Sequence, residues 1–247
     1  MVRAETAGGI ARITLDRPEK KNAFTAEMYR SLGDALAAAD AAADARAVLL
    51  HGTRECFSAG NDLADFLRPR APGEEPATAR LFRVLPGMKK PIVAAVAGPA
   101  IGIGCTLLLH CDLVYAAQNA RFQLPFVPLG IVPEFGSTLL LPLLAGYQRA
   151  AELMLLGEPF TAEQAREAGI VNAVVPAAEV LEVAERKARA LAALPPESIR
   201  LTKALLKATQ RGALEARIAE ESRIFAKRLA SPEAKAAMSA FLAKRNG

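Results

Sequence analysis

The sequence predicts an α/β domain at residues 1–195, followed by a helical subdomain at residues 196–247. In the first part, short runs of Val, Ile and Leu bounded by Gly and Pro alternate with stretches whose apolar residues have helical spacing. After Pro195-Pro196 only the helical pattern remains. With 247 residues, 52% of them hydrophobic, the chain is long and apolar enough for one large core with such an appendage.

The first predicted elements are a hairpin, a helix and a buried strand. The segment VRAETAGGIARITLD holds two strand-like runs on either side of a Gly-Gly pair, which predicts a β-hairpin. Thr25 is typical of an N-cap, and the Ala-rich helix after it is predicted to reach about Asp40. The run AVLLH at residues 47–51 predicts a buried strand, and a loop of Gly, Ser and Asn follows it.

The next elements are a linker, two more strands and a helix between them. RPRAPGEEP at residues 68–76 is charged and rich in Pro and Gly, which predicts a mobile linker. PIVAAVAG and DLVYAA predict strands, and TLLLHC predicts the start of a helix. Residues 92–109 are uncharged over about the length of a membrane span, but Gly and Pro interrupt them four times. We therefore interpret them as a buried strand, a Gly-rich turn and a helix.

Composition excludes several classes of protein. The net charge is +5, but basic and acidic residues are interleaved and only 5% of the chain is aromatic, which disfavours nucleic-acid binding. The excess of positive charge suits an anionic small molecule. Three cysteines without CxxC spacing predict free thiols in a reducing cytoplasm, and the N-terminus predicts no signal peptide. His51 and His110 are interpreted as structural, and no metal site is predicted.

Two Gly-containing turns follow predicted buried strands, FSAGND at residues 57–62 and GPAIGIGCTLL at residues 98–108. The second has the order G-x-x-x-G-x-G rather than the G-x-G-x-x-G of a dinucleotide site. One interpretation is that both are tight turns needed only for packing. The other is that each offers a backbone N–H at the start of a helix, and two such groups form an oxyanion hole.

A single acid stands in a long uncharged stretch. From Phe122 to Gln148 the only charged residue is Glu134, within LGIVPEFGS. Charged side chains are rarely buried without a partner or a chemical task. Glu134 is therefore either a catalytic carboxylate or an exposed acid at the start of the helix predicted after it.

The segments FSAGNDL, GPAIGIGCTLLLHCDLVYA, LGIVPEFGS, FTAEQAREAGIVNAVVP and MSAFLAKR together resemble the crotonase (enoyl-CoA hydratase/isomerase) superfamily. The resemblance runs from about Ile13 to Arg245, in the same order and spacing. It implies a spiral of ββα units with a C-terminal helical trimerisation region, and a homotrimer or dimer of trimers. It also implies an acyl-CoA substrate whose thioester oxygen binds an oxyanion hole formed by the N–H groups of Asn61 and Ile103.

The superfamily's hydratases use two glutamates, and this sequence has Thr106 and Phe126 at those positions. GPAIGIGCTLL and PLGIVPEFGS most resemble the Δ3,Δ2-enoyl-CoA isomerase branch, whose motif places its one catalytic glutamate at Glu134. Moving a double bond from C3 to C2 needs one carboxylate that takes a proton from C2 and returns it to C4. The resemblance therefore implies isomerisation of 3-enoyl-CoA, with no cofactor because CoA is part of the substrate.

The resemblance also implies positions that contact CoA or the acyl chain. For most of these a surface charge or a plain core position is the alternative, and capping of the following helix is the favoured role of the Asp62 side chain. The expected substrate-binding residues are Lys20, Lys21, Ala59, Asp62, Leu63, Phe126, Phe241 and Lys244. Further candidates for an acyl pocket are Phe66, Phe82, Leu85, Leu129 and Phe135.

Two other functions remain open from the sequence. The chain either catalyses a different reaction on an acyl-CoA, such as hydration, thioester hydrolysis, dehalogenation or decarboxylation, or it binds acyl-CoA without turnover. We expect a cytoplasmic enzyme of lipid metabolism that binds neither nucleic acid nor membrane.

Overall fold

The computed structural model describes residues 1–66 and 75–246, and for Phe66, Leu242 and residues 244–246 it describes the backbone alone. The strands are β1 (Val2–Ala7), β2 (Ile10–Leu15), β3 (Ala47–His51), β4 (Ile92–Val96), β5 (Pro99–Ile101), β6 (Leu113–Ala117), β7 (Arg121–Gln123), β8 (Phe160–Thr161) and β9 (Ala173–Val175). The helices are α1 (Ala26–Ala41), α2 (Leu63–Phe66), α3 (Thr78–Gly87), α4 (Ile103–Thr106), α5 (Ser137–Ala145), α6 (Tyr147–Leu155), α7 (Ala162–Glu167), α8 (Val180–Ala193), α9 (Pro196–Ala208), α10 (Arg211–Leu229) and α11 (Pro232–Asn246).

A six-stranded sheet in the order β1-β2-β3-β4-β6-β9 forms the centre of the fold. β1 and β2 are an antiparallel hairpin, and every later neighbour pairs in parallel. Alternate residues of β3 enter two different cores: Val48 and Leu50 face the larger one, whereas Ala47 and Leu49 face α8. Because helices cover both faces, the strands are apolar throughout, which explains the uncharged runs in the sequence.

A second sheet, of three strands, lies next to the two Gly-containing turns. Its order is β5-β7-β8, with β5 and β7 parallel and β7 and β8 antiparallel. A parallel bridge between Ser58 and Ala100 joins the turn after β3 to β5. The Gly-rich turn that follows β5 therefore lies beside the turn that follows β3.

Helix α1 begins as its sequence predicts. The Thr25 hydroxyl accepts a hydrogen bond from the Met28 N–H (3.2 Å), which satisfies one of the free N–H groups at the helix start. The helix buries Tyr29, Leu32 and Leu36 in the larger core, where α3 contributes Leu81 and Leu85. This packing fixes Tyr29 at the inner face of the helix.

The C-terminal helices pack on their own chain. Lys203 of α9 reaches between β4 and β6 to the Asp112 carboxylate (2.6 Å) and the Lys90 carbonyl (2.7 Å). Phe225 of α10 and Ala234 and Met238 of α11 are buried in the larger core. The described residues after Pro195 therefore share a core with those before it, and the boundary predicted at residues 195–196 stays a prediction.

The sequence predictions fail mainly at short elements. In TLLLHC, Thr106 is the last residue of α4, and a 3₁₀ turn at Leu107–His110 capped by Cys111 follows, rather than the start of a longer helix. β5, β7, β8 and β9 have only two or three residues each, too few to show a pattern. Residues 68–74 of the predicted linker lie outside the described residues.

Among the helices of residues 1–66 and 75–246, none combines the length and the apolar character needed to cross a membrane.

We expect Gly104→Ala to destabilise the protein by about 1–3 kcal/mol, the usual cost of overpacking. A Cβ at position 104 would lie 2.9 Å from the Ser58 Cβ and 3.0 Å from its carbonyl oxygen, so the two turns would have to separate. Gly212→Ala is the control, because a Cβ there meets no atom within 4 Å. Urea unfolding measures both variants, and equal stabilities would contradict this account of the turns.

Candidate active site

The turn after β3 and the turn after β5 are in direct contact. The Ser58 N–H donates to the Pro99 carbonyl and the Ile101 N–H to the Ser58 carbonyl, both at 2.9 Å. Glycine is required on each side of the contact: a Cβ on Gly60 would lie 2.9 Å from the Ile101 oxygen, and one on Gly104 would meet Ser58. The glycines that made these turns conspicuous in the sequence thus allow two backbones to approach closely.

The pairing of these turns leaves two N–H groups available. Asn61 forms a parallel β-bridge with Phe24, and the two neighbours of Asn61 make the hydrogen bonds of this bridge. The Phe24 N–H donates to the Gly60 carbonyl, and the Phe24 carbonyl accepts from the Asp62 N–H. The N–H of Asn61 itself therefore points away from Phe24. Ile103 is the first residue of α4, so its N–H has no acceptor within the helix. Within the described part of the chain neither N–H has an acceptor, as an oxyanion hole requires.

Asn22 and Ser58 fix the turn that carries Asn61. Asn22 is fully buried with a left-handed backbone (φ 53°), and its amide donates to the carbonyls of Cys56 (2.8 Å) and Phe57 (3.2 Å). The Ser58 hydroxyl donates to the Asn22 carbonyl (2.9 Å) and accepts from the Gly60 N–H (3.1 Å). These bonds hold the turn before any ligand arrives.

Asp62 has the capping role favoured by the sequence. One of its carboxylate oxygens accepts from the Ala64 N–H (3.2 Å) at the start of α2, and the other accepts from the Arg17 guanidinium (2.8 Å). Burial acts to raise the pKa of Asp62, but these hydrogen bonds and the Arg17 charge hold it below its ordinary value. The Asp62 carboxylate is therefore engaged with protein groups, which leaves its backbone and neighbours to contact a ligand.

Glu134 is buried without a partner for one of its oxygens. Its side chain is 3% exposed, and within the described residues Oε1 has no hydrogen-bond donor. Burial, followed by the nearby negative charge of Glu221, raises the pKa of Glu134 from 4.5 to about 8. A carboxyl group with this pKa is a stronger base than an exposed glutamate and exchanges protons near neutral pH.

An unusual backbone presents this carboxyl group. Phe135 has φ 65° and Gly136 has φ 74°, both left-handed, which for a bulky residue such as Phe135 costs about 1–2 kcal/mol. The Phe82 ring stacks on Phe135 with ring centres 4.1 Å apart, and His110 Nε2 donates to the Phe135 carbonyl (2.8 Å). Burial lowers the pKa of His110 to about 3, so this imidazole is neutral.

Glu134 faces a cavity of about 1190 Å³ with largely apolar walls. Tyr29 lines the same cavity, and its hydroxyl donates to the Asn61 side-chain carbonyl (2.6 Å). Burial and the Glu134 charge both raise the pKa of Tyr29, so the phenol is neutral and near Glu134. Tyr29 therefore lines the cavity that Glu134 faces and also contacts the Asn61 turn. The apolar residues along the cavity include Phe24, Phe82, Leu140, Leu214, Ile218 and Phe225.

The structure places some of the predicted substrate-binding residues near the Asn61 turn or the cavity, and others away from both. The Lys21 carbonyl accepts from the Ala59 N–H (2.9 Å), which places the exposed Lys20-Lys21 pair beside the Asn61 turn. Phe126 is buried in the larger core and does not line the cavity, and Phe241 is 40% exposed on α11. Among the acyl-pocket candidates Phe82 lines the cavity, whereas Leu85, Leu129 and Phe135 do not. The side chains of Phe66 and Lys244 lie outside the described residues.

Sequence reasoning missed three residues of the site. Tyr29 has only the helical spacing of a core residue. His110, interpreted as structural, lines the cavity and holds the Phe135 carbonyl. Glu221 lies 85 residues from Gly136, to which it binds, and has no local pattern that distinguishes it from the other acids of α10.

A family model described as enoyl-CoA hydratase/isomerase matches residues 5–247, nearly the whole chain. The chain belongs to this family. The crotonase superfamily and the fold expected from the sequence motifs are thereby confirmed, and the protein is an enzyme of the enoyl-CoA hydratase/isomerase family.

Its relatives carry more than one activity in their names. The chain is 36% identical to 2,3-dehydroadipyl-CoA hydratase of Escherichia coli (strain K12), over 94% of this chain and 92% of that protein. It is also 36% identical to enoyl-CoA delta isomerase 2 of Homo sapiens, over 96% of this chain and 62% of that protein. The crystal structure of an enoyl-CoA hydratase/isomerase from Pseudoalteromonas atlantica T6c superimposes with a TM-score of 0.95 at 39% identity, over 98% of this chain and 97% of that chain. Membership of the family thus leaves the reaction open.

We expect Glu134→Gln to raise the melting temperature, and the gain to grow as pH rises from 5 to 9. The folded enzyme keeps a proton on Glu134 up to about pH 8, whereas the unfolded chain releases it near the ordinary value of 4.5. Glu134 therefore lowers wild-type stability progressively between those pH values, and glutamine removes that loss. Thermal unfolding of both proteins across this range measures the difference. A difference that does not change with pH would contradict the assigned burial.

Proposed function

We propose that this enzyme shifts the double bond of a 3-enoyl-CoA to give the 2-enoyl-CoA. The observation that carries the proposal is the buried carboxyl group of Glu134 on the cavity wall, one oxygen of which has no hydrogen-bond partner among the described residues. The similarity to enoyl-CoA delta isomerase 2 supports it.

The other acids along the cavity are poorer candidates for the base. Glu27 and Glu215 are exposed to solvent rather than buried in the cavity wall. Asp65 accepts a hydrogen bond from the Ala26 N–H (2.7 Å) at the start of α1. Glu134 alone of these four is both buried and offers a free oxygen.

The proposed reaction needs one base and one oxyanion site. The Glu134 carboxylate takes a proton from C2, and the electron pair of that C–H bond delocalises into the thioester to give a dienolate. The N–H groups of Asn61 and Ile103 bind the dienolate oxygen. The protonated Glu134 then returns the same proton to C4, which leaves the double bond between C2 and C3. Because one group both removes and returns the proton, no second acid is needed.

The two-glutamate route of the superfamily's hydratases is a poorer fit to this sequence. The two positions at which the superfamily's hydratases have glutamates are Thr106 and Phe126, and both side chains are buried. A threonine hydroxyl does not act as a base at neutral pH, and a phenyl ring carries no exchangeable proton. The Thr106 hydroxyl has no hydrogen-bond partner among the described residues.

We propose that the CoA part of the substrate lies along the Asn61 turn. Lys20 and Lys21 would meet its phosphates, and the backbone around Ala59, Asp62 and Leu63 would follow the pantetheine. Phe241 and Lys244 of α11 are proposed to contact CoA across a subunit boundary, as the family motif implies. The substrate itself supplies CoA, so the proposal includes no separate cofactor.

We expect Glu134→Gln to lower the rate of 3-enoyl-CoA isomerisation by about 10²–10⁴-fold, the usual contribution of a general base. Substrate affinity should change little, because the variant keeps the N–H groups of Asn61 and Ile103. The assay follows 2-enoyl-CoA by its ultraviolet absorbance and by mass, with a panel of acyl chain lengths. A separate calorimetric titration measures binding.

Thr106→Val is the matched control for this experiment. It replaces a second buried polar side chain of the region, and removing a hydroxyl without a partner should leave activity and stability nearly unchanged. If Glu134→Gln kept near wild-type activity, the base would lie elsewhere. Hydration of 2-enoyl-CoA as the main wild-type activity would also contradict the proposal.

We further propose that the enzyme is a homotrimer or a dimer of trimers. Leucines on α5, α6 and α9 are largely exposed, for example Leu155 (62%), Leu205 (75%) and Leu206 (77%). An exposed apolar surface of this kind marks a protein interface, and copies of the same chain are its simplest occupants.

Leu205→Glu combined with Leu206→Glu is expected to give a folded monomer, because two buried charges at an interface oppose association. Ala190→Glu on the exposed side of α8 is the control and should keep the wild-type assembly. Light scattering at micromolar concentration measures the mass. A wild-type monomer would overturn the proposal.

A further inference from the structure

Glu221 of α10 binds the loop that carries Glu134. It is 4% exposed, and its carboxylate accepts from the Gly136 N–H (2.5 Å), the Thr138 N–H (3.0 Å) and the Thr138 hydroxyl (2.5 Å). Gly136 and Thr138 lie on either side of the first residue of α5. One side chain from the C-terminal region therefore closes the start of α5, only two residues after the proposed base.

A capping role alone does not require an acid at this position. A Ser, Thr or Asn side chain can accept hydrogen bonds from the free N–H groups at a helix start without burying a charge. Here two carboxyl groups, Glu221 and Glu134, are buried near each other, an arrangement that is unfavourable when both are ionised. Such an arrangement persists at functional sites, where it serves the chemistry.

Glu221 is the member of the pair whose carboxylate accepts three hydrogen bonds, an arrangement that favours its ionised form. Burial raises the pKa of Glu221 overall, and the hydrogen bonds from Thr138 and Gly136 and the charge of Arg217 reduce that rise. Arg217 also donates to the Thr138 hydroxyl oxygen (3.2 Å), which places a positive charge next to the hydrogen bond between Thr138 and Glu221. Glu134 has no such stabilisation, and its pKa is raised to about 8.

We propose that Glu221 is a positioning residue for the reaction: its carboxylate fixes the loop that presents Glu134, and its negative charge keeps Glu134 a strong base. This inference rests on the proposed function of Glu134. It makes α10 a part of the active site of its own subunit. The same helix reaches the loop through Leu214, since a Cβ on Gly136 would lie 2.3 Å from the Leu214 Cδ1.

Other titratable groups line the cavity that Glu134 faces, among them Glu27, Arg30, Asp65, Arg211 and Glu215. Tyr29 of α1 and His110 of the 3₁₀ turn at Leu107–His110 face the same cavity as neutral groups. Lys207 of α9, with a pKa lowered by burial, also lines the cavity, and Arg83 of α3 lines it at an exposed position. After desolvation, the negative charge of Glu221 is the cause that raises the pKa of Glu134.

The test is the pH profile of kcat/KM for 3-enoyl-CoA at low ionic strength. The acid limb of the profile reports ionisation of the base in the free enzyme. For Glu221→Gln we expect this limb to shift to lower pH, because a nearby negative charge is lost and Glu134 ionises more easily. We also expect a lower kcat on the alkaline plateau, where Glu134 is fully ionised in both proteins. A merely structural role would lower kcat without moving the limb.

Two further variants separate charge from packing. Glu220→Gln removes a charge from the adjacent position of α10; its contact with Arg217 (3.6 Å) is exposed to solvent and therefore weak, so the limb should stay in place. Arg217→Gln removes the cation that favours the ionised form of Glu221 and should move the limb in the same direction as Glu221→Gln, to lower pH, by a smaller amount. It also replaces Glu221→Gln as the test if that variant does not fold. Unchanged limbs in both Glu221→Gln and Arg217→Gln, or equal shifts in Glu221→Gln and Glu220→Gln, would overturn the proposal.

A second readout does not depend on turnover. Carbon-13 NMR of the glutamate carboxyl groups follows the titration of Glu134 in the free protein, with Glu134→Gln to assign its signal. If wild type does not isomerise any 3-enoyl-CoA, the proposed function fails, and the NMR titration still shows whether Glu221→Gln lowers the pKa of Glu134. If wild type isomerises 3-enoyl-CoA and the titration is unchanged in Glu221→Gln, the role of Glu221 alone is wrong.

Discussion

Keeping one carboxyl group away from water without pairing it with a cation is the constraint on which the rest of the site depends. A buried ion pair would have lowered the pKa of Glu134 and made it a weak base. The fold instead surrounds Glu134 with neutral groups, the phenol of Tyr29 and the imidazole of His110, and places a negative charge nearby. Burial of an ionisable group usually destabilises a core. Here it makes Glu134 a stronger base.

The same constraint explains the strained backbone. An acid at the end of a flexible loop would turn outward and regain its hydration, so the loop has to be held. Phe135 keeps its left-handed conformation because Phe82 stacks on its ring and His110 bonds its carbonyl. These contacts come from α3 and the turn before β6, elements far apart in sequence, so the strain is supported by the whole core. The two turns with free N–H groups follow a related principle, since each leaves a backbone donor unsatisfied at a point fixed by surrounding hydrogen bonds.

The sequence predicts part of this site, and there is a physical reason why it does not predict the rest. Features set by local rules were predictable: the Thr25 cap, the apolar strands, the turns around Gly60 and Gly104, and Glu134 as an isolated acid. Side chains that enter from distant elements were not, because Tyr29 and Glu221 differ from ordinary core and surface residues only in what they meet after folding. Phe126 illustrates the reverse: its position in a motif suggested ligand contact, but it lies in the core away from the cavity.

The C-terminal helices show why a chain of this kind needs its last fifty residues. The inner sides of α10 and α11 are buried against the core, and Glu221 closes the loop of the proposed base. The neighbouring α9 instead exposes Leu205 and Leu206, which no described residue of the same chain covers. Lys203, on the same helix, is tied to Asp112 at the edge of the central sheet. The exposed leucines of α9, proposed above as a subunit interface, therefore lie on a helix that is separated by two residues of chain from α10, the helix that carries Glu221. The C-terminal region thus carries both the exposed leucines of the proposed interface and the carboxylate that holds the start of α5, the helix that follows Glu134.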